Sequence, residues 1–205
     1  MIIPTILEKT WQEIEAKFEI YKNFANTVHI DFIDGKFAPE LTFLDPEPFS
    51  KYSKYFKLEA HLMVDEPLFY LQKLADVGFK TFLGHIERMN DQVEFVTKGQ
   101  ELGSVGLALN IDTPLESIKV SLEDLDQILL MDIVAGASGR PFDERVLSKI
   151  KDLNDKSFTN IEVDGGINDQ TMLLAKNAGA NKFCVNSFLF KDNPEKQFRL
   201  LQSLL

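Results

Sequence analysis

The chain has 205 residues, 44% hydrophobic and 26% charged, proportions that exclude a collagenous, disordered or low-complexity polypeptide. Its 22 Lys and Arg against 32 Asp and Glu leave a net charge of −10, a field that repels phosphate backbones and argues against nucleic-acid binding. A single cysteine excludes a disulfide framework and any cysteine-built zinc or iron–sulfur site. No apolar run approaches the roughly 18 residues of a membrane span. The start, Met1-Ile2-Ile3-Pro4-Thr5, lacks the basic n-region and long apolar stretch of a signal peptide. The expectation is a soluble, cytoplasmic protein that forms one domain over 1–205, with no membrane or nucleic-acid partner.

In chain order, short apolar runs alternate with amphipathic stretches. The runs lie at 2–7, 27–33, 57–63, 80–85, 105–109, 127–131, 160–163 and 182–185, each the length of a buried strand. After the first run, Trp11, Ile14, Phe18 and Tyr21 repeat at helical spacing. Leu68, Leu71 and Leu74 follow the third run, and Val93, Val96 and Leu102 the fourth. Val146, Ile150 and Leu153 follow the sixth, and Met172, Leu173 and Leu174 begin a helix after the seventh. The last helix starts from an Asn193 cap and Pro194 and continues through Phe198, Leu201 and Leu205. Gly78, Gly103 and Gly179 each precede a strand, where a left-handed C-terminal cap belongs.

Eight strand–helix units at this spacing imply a parallel sheet with right-handed crossovers, and eight close into a (β/α)8 TIM barrel. An open doubly wound sheet would carry a glycine-rich first turn, whereas Leu7-Glu8-Lys9-Thr10 has no glycine.

In such a barrel the site forms at the C-terminal strand ends. Alternation places His29, Asp31 and Ile33 on one face of the second strand, with Asp34 starting the loop. Glu59, His61 and Met63 share a face of the third strand, and Glu162 and Asp164 a face of the seventh. Buried charges cost several kcal/mol unless paired or metal-bound. Imidazoles and carboxylates converging on the axis therefore suit one divalent metal: zinc, iron(II), manganese or cobalt. Glycine turns offer backbone N–H groups to a phosphate at Gly136-Ala137-Ser138-Gly139, at Gly165-Gly166 and beside Asn186-Ser187.

His29-Ile-Asp31-Phe-Ile-Asp34-Gly35, His61-Leu-Met63 and Glu162-Val-Asp164-Gly-Gly166 resemble the three signatures of the ribulose-phosphate 3-epimerase family. The resemblance extends from Pro4-Thr5-Ile6-Leu7 to Gly179-Ala180-Asn181. It implies a barrel that moves one proton at C3 of D-ribulose 5-phosphate to give D-xylulose 5-phosphate. By position it implies His29, Asp31, His61 and Asp164 as metal ligands, with Asp31 and Asp164 doubling as proton carriers. Substrate contacts would come from Thr5, His61, Met63, Met131, Gly136, Gly139, Gly165, Gly166, Asn186 and Ser187.

The sequence also departs from the family. Thr5 stands for the usual serine, Ile33 for a common methionine, and Asn186-Ser187 for Gly-Ser. Val134-Ala135-Gly136-Ala137-Ser138-Gly139-Arg140 replaces a loop that typically carries Pro-Gly-Phe-Gly-Gly. These changes bear on substrate identity and loop closure, leaving the metal and base positions intact. A hexulose 6-phosphate substrate, or a metal- and sugar-phosphate-binding barrel with little catalysis, are the alternatives. A decarboxylase or aldolase reading would want a lysine among the strand-end acids, and Asp31-Phe32-Ile33-Asp34 has none.

His85, with Glu87 after it, reads as an outer neighbour of the site or a structural residue. Glu59 and Glu162 lie one inward step below His61 and Asp164 and would orient the ligating groups by hydrogen bonding, and Cys184 reads as an inert buried thiol. Phe43, Leu44 and Phe49 read as exposed apolar residues available for a subunit contact in a homo-oligomer.

Overall fold

Strand-forming runs bounded by polar turns set the architecture, and each pairs in parallel with its sequence neighbours. A computed structural model describes residues 1–132 and 141–205. The strands are β1 (Ile2–Ile6), β2 (Thr27–Ile33), β3 (Lys57–Met63), β4 (Phe79–His85), β5 (Ser104–Leu109), β6 (Gln127–Met131), β7 (Ile161–Asp164) and β8 (Lys182–Val185). They close in the order β1 to β8, with β1 pairing to β8, as the (β/α)8 reading expects. Register pairs Thr5 with His29, Asp31 with His61, and Met131 with Asp164, which sends these side chains to one side of the sheet.

The α-helices among the described residues are α1 (Trp11–Tyr21), α2 (Leu71–Asp76), α3 (Gln92–Leu102), α4 (Val146–Asp155), α5 (Asp169–Ala178) and α6 (Pro194–Ser203). Local chemistry starts them: Thr10 and Glu13 form a capping box on α1, Asn168 caps α5, and Asn193 with Pro194 opens α6. The expected eight helices are not all present. The connections from β2 to β3 and from β5 to β6 hold only short 3₁₀ turns, at Glu47–Lys51, Leu115–Ser117 and Leu122–Asp124. Pro46, Pro48 and Pro114 interrupt those segments and remove the donors an α-helix would need.

Three further expectations are corrected by packing. Gly78 and Gly179 are left-handed with φ of 103° and 118°, but Gly103, with φ of 170°, is extended. Gly103 is required for a different reason: a Cβ there would collide with the Lys80 carbonyl oxygen. On α3 the buried face is Gln92, Phe95, Val96 and Gly99, with Val93 exposed, and on α5 it is Met172, Ala175 and Ala178, with Leu173 and Leu174 turned outward. Phe49 is fully buried and so not free for a subunit contact, and Phe43 and Leu44 are half-buried against the same core. Trp11 draws them in, with its ring 5.8 Å from Phe43 and 5.3 Å from Phe49.

The outer core lies between strands and helices. A second, smaller core of Ile33, Ala38, Met63, Leu83, Ala108, Leu129 and Met131 gathers inward-facing strand residues with loop residue Ala38.

Candidate active site

Alternation along β2, β3 and β7 carries the polar residues inward. His29, Asp31 and His61 are buried and Asp164 is partly exposed at its strand end. One ligand atom from each of these four lies within 4.8 Å of the others. His61 Nδ1 is 2.8 Å from Asp31 Oδ1 and 3.8 Å from Asp164 Oδ2, and His29 Nε2 is 3.4 Å from Asp31 Oδ1.

The second nitrogen of His29 points the other way. Its Nδ1 is 2.7 Å from Glu59 Oε1 and 3.1 Å from Glu162 Oε1. Carboxylates only accept, so Nδ1 carries the proton and donates. His29 Nε2 is buried without a hydrogen-bond partner and faces the cluster, and in the neutral ring it carries the lone pair that a divalent cation takes as a ligand. Glu59 and Glu162 thus both meet one of the ligand candidates, His29, by hydrogen bonding. Cys184 is buried as expected, but its thiol donates to Glu162 Oε1 at 2.9 Å. Gln127 Nε2 donates to Glu59 Oε2 at 2.9 Å and to Glu162 Oε2 at 3.3 Å, and Lys182 Nζ donates to the Gln127 side-chain carbonyl. A polar column therefore runs down the barrel beneath the four ligand candidates.

The carboxylates divide electrostatically. Burial pushes Asp31 up, but His29 and His61 outweigh it and hold the group below the ordinary range. Burial and the charge of Asp31 push Asp164 up to about 6. Burial also raises Glu59, yet the His29 hydrogen bond brings it down to about 2, while burial and Glu59 raise Glu162.

Thr5 is buried on β1, and Met63 and Met131 join the apolar part of the interior. Gly165 and Gly166 follow Asp164 with φ of 118° and 43°. A Cβ on Gly166 would lie 2.7 Å from the backbone of Phe142, so this turn is closed to any larger residue. The Gly166 carbonyl accepts from Thr171 Oγ1 at 2.9 Å, fixing the turn against the start of α5. Asn186 and Ser187 follow β8, and Asn186 Oδ1 accepts from Lys17 Nζ at 2.8 Å. Gly136 and Gly139 lie outside the described residues.

Four participants escape the sequence reading: Gln127, Lys182, Lys17 and Asp132. Alternation back from Met131 and Cys184 would place Gln127 and Lys182 inside the barrel. Lys17 gives no local signal, because its partner Asn186 is 169 residues away. Asp132 follows Met131 directly, its carboxylate buried with no hydrogen-bond partner among the described residues. Burial, Asp164 and Asp143 push it up to about 9, so it is neutral at pH 7.

The sequence profile described as the ribulose-phosphate 3 epimerase family matches residues 1–190. The chain belongs to that family. It is 34% identical over 203 residues to ribulose-phosphate 3-epimerase of Schizosaccharomyces pombe, covering 95% of this chain and 89% of the relative. It is 31% identical over 206 residues to the enzyme of that name from Bacillus subtilis, covering 96% and 94%. Among solved structures, a ligand complex of KGPDC from Streptococcus mutans superposes with a TM-score of 0.74 at 14% identity, covering 99% of this chain and 95% of that one. The match to 3-hexulose-6-phosphate synthase from Salmonella typhimurium has a TM-score of 0.73 at 15% identity, covering 100% and 97%. These two likenesses establish the barrel, while the epimerase family rests on sequence.

Proposed function

We propose that the chain is a metal-dependent isomerase that inverts C3 of a ketose phosphate, converting D-ribulose 5-phosphate to D-xylulose 5-phosphate. The observation that carries this reading is the convergence of His29, Asp31, His61 and Asp164 at strand ends, with His29 Nε2 buried and unpartnered. Those four residues would hold one divalent cation, zinc, iron(II), manganese or cobalt. When bound, the cation supplies Lewis acidity toward the substrate oxygens that gain charge in the transition state.

Inversion beside a ketone needs one group to take a proton from C3 and another to return one to the opposite face. Asp31 and Asp164 fill these roles and exchange them in the reverse direction. Their strands, β2 and β7, are separated on the barrel by β1 and β8, so the two carboxylates approach a central substrate from different sides. The environments that hold Asp31 low and lift Asp164 to about 6 separate an ionised carboxylate from one that accepts a proton readily. Met63 and Met131 line the pocket and limit water around C3. The Thr5 hydroxyl and His61 contact the sugar. Backbone at Gly165, Gly166, Asn186 and Ser187, with Gly136 and Gly139 of the preceding loop, holds the phosphate.

Residues 1–205 act as one barrel domain in this reading, in the cytoplasm, where one rice relative at 30% identity is named the cytoplasmic isoform. A homo-oligomer is expected and is read by light scattering. The deciding experiment is turnover of D-ribulose 5-phosphate by metal-loaded protein in D₂O. Deuterium should appear at C3 of the product. No turnover with metal bound would favour a binding barrel, and turnover of a hexulose 6-phosphate alone would move the substrate class.

A further inference from the structure

His61 has a second nitrogen whose surroundings define a hydrogen-bond chain from the barrel axis to the surface. Its Nε2 lies 3.0 Å from Nε2 of His85 at the end of β4. The two rings stack with centroids 5.0 Å apart, and His85 is fully buried. His85 Nδ1 is 2.9 Å from Glu87 Oε2. The other Glu87 oxygen accepts the Asn110 backbone N–H at 2.7 Å and the Thr113 hydroxyl. Glu87 also lines a surface cavity of about 460 Å³ with Asn90, Gln92 and Lys119, so the chain ends where solvent reaches it.

Proton bookkeeping gives this chain a direction. Two imidazole nitrogens at hydrogen-bond distance share one proton, so one donates and the other accepts. Without a cation, His61 Nδ1 donates to Asp31 Oδ1 at 2.8 Å; a ligand role instead requires a lone pair at Nδ1 and puts the proton of the neutral ring on Nε2. His61 then donates to His85 Nε2, His85 keeps its own proton on Nδ1, and Glu87 accepts it. The Phe37 ring lies tilted against His85, 4.6 Å between centroids.

We propose that His85 and Glu87 are positioning residues that fix the tautomer of His61 and aim its Nδ1 lone pair at the cation that Asp31 and Asp164 would share. The proposal rests on the metal ligand set given above. Outer-layer acceptors of this kind, when removed, typically change metal affinity about 10–100-fold.

The variant Glu87→Gln tests direction with little change of shape. The Asn110 N–H can only donate, so the amide oxygen must stay on that side and the NH₂ must face His85. The amide then donates to His85 Nδ1. The His85 proton is displaced to Nε2, and the His61 proton to Nδ1, where it blocks the ligand position. Glu87→Ala removes the acceptor without imposing the reversal.

The measurements are zinc dissociation constants by chelator competition, unfolding temperatures of the metal-free proteins, and long-range ¹H–¹⁵N spectra of the zinc-loaded wild type. Zinc should bind Glu87→Gln about 10–100-fold more weakly than wild type and more weakly than Glu87→Ala, with metal-free unfolding temperatures close together. The wild-type spectrum should show His61 protonated at Nε2 and His85 at Nδ1. Unchanged zinc affinity in Glu87→Gln, or a His85 proton on Nε2, would overturn the relay while leaving the ligand set standing. Wild type that takes up no zinc, manganese or iron(II) would overturn the ligand set and the relay with it. Should Glu87→Gln fail to fold, the wild-type spectrum decides alone.

Discussion

Around the barrel axis, β7, β8, β1, β2 and β3 send Glu162, Asp164, Cys184, Thr5, His29, Asp31, Glu59 and His61 inward, whereas β4, β5 and β6 send Leu83, Ala108, Leu129 and Met131. Gln127 at the foot of β6 and His85 at the end of β4 complete the polar side. The polar wall is contiguous, and contiguity lets its members satisfy one another: His29 donates to Glu59, Cys184 to Glu162, and Gln127 to both glutamates. The same groups scattered around the ring would each need a separate partner, at a cost of roughly 1–3 kcal/mol for each one left unsatisfied. The apolar wall excludes water, which is why burial dominates the upward shift of Asp164. One wall holds the chemistry and the other sets the dielectric in which it operates.

The largest expected effect comes from removing proton transfer in the polar wall. Asp164→Asn keeps the shape but cannot carry the proton, and should lower kcat by about a thousandfold or more. Metal content must be read in the same sample, since a lost ligand would mimic a lost base. A metal-loaded variant near the wild-type rate would contradict the role.

Making the apolar wall polar should damage stability instead. Leu129 is fully buried and belongs to the small apolar core. Leu129→Asn should lose about 2–4 kcal/mol in urea unfolding, whereas Leu129→Met should lose under about 1.5 kcal/mol. Equal losses would mean that the wall tolerates polarity.

Asp132 tests the boundary between the walls. Its folded-state value near 9 lies above the ordinary carboxylate value, so the stability it contributes is fully present below about pH 4 and lost as pH rises to 9. Asn at this position has no such dependence. In metal-free protein, Asp132→Asn should gain on wild type by up to about 1.4 kcal/mol per pH unit between pH 5 and pH 9 and then level off. A difference that stays flat with pH would show that the carboxylate finds a partner.

The smallest effect separates two members of the polar wall. Glu59 is held ionised by His29 while burial and Glu59 raise Glu162. Glu59→Gln should therefore weaken zinc about tenfold, and Glu162→Gln should change it less, by chelator competition. The reverse order would reassign the acceptor that sets His29.

Much of this contrast is legible in the sequence. Alternation in Thr27–Ile33 and Lys57–Met63 puts His29, Asp31, Glu59 and His61 on inner faces, and the structure keeps those strand bounds. What local pattern does not carry is which carboxylate meets which imidazole. Glu59 and His61 are neighbours along β3, yet Glu59 bonds across to His29 because register places those two side by side. The 3₁₀ connections are hidden because strand count fixes the barrel without fixing how each crossover is built. Phe43 and Phe49 read as exposed because Trp11, whose ring covers them, lies more than thirty positions earlier. Lys17 and Asn186 pair across a separation that no local pattern carries.

That last contact belongs to the join between the ends of the barrel, where Ile2 pairs with Phe183, Ile3 with Cys184 and Pro4 with Val185. Lys17 on α1 reaches across it, bonding Glu8 after β1 at 2.5 Å and Asn186 after β8 at 2.8 Å. During synthesis β1 leaves the ribosome early and must wait for β8 before its second edge is covered, leaving unpaired N–H and C=O groups open to a wrong strand. Closure carries the largest loop-entropy cost in the molecule and sets its folding speed. Because Asn186 belongs to the closing segment, the proposed phosphate cradle would be completed only by that final pairing. A nascent chain stopped before residue 182 would hold every proposed metal ligand and still lack the ring that brings them together.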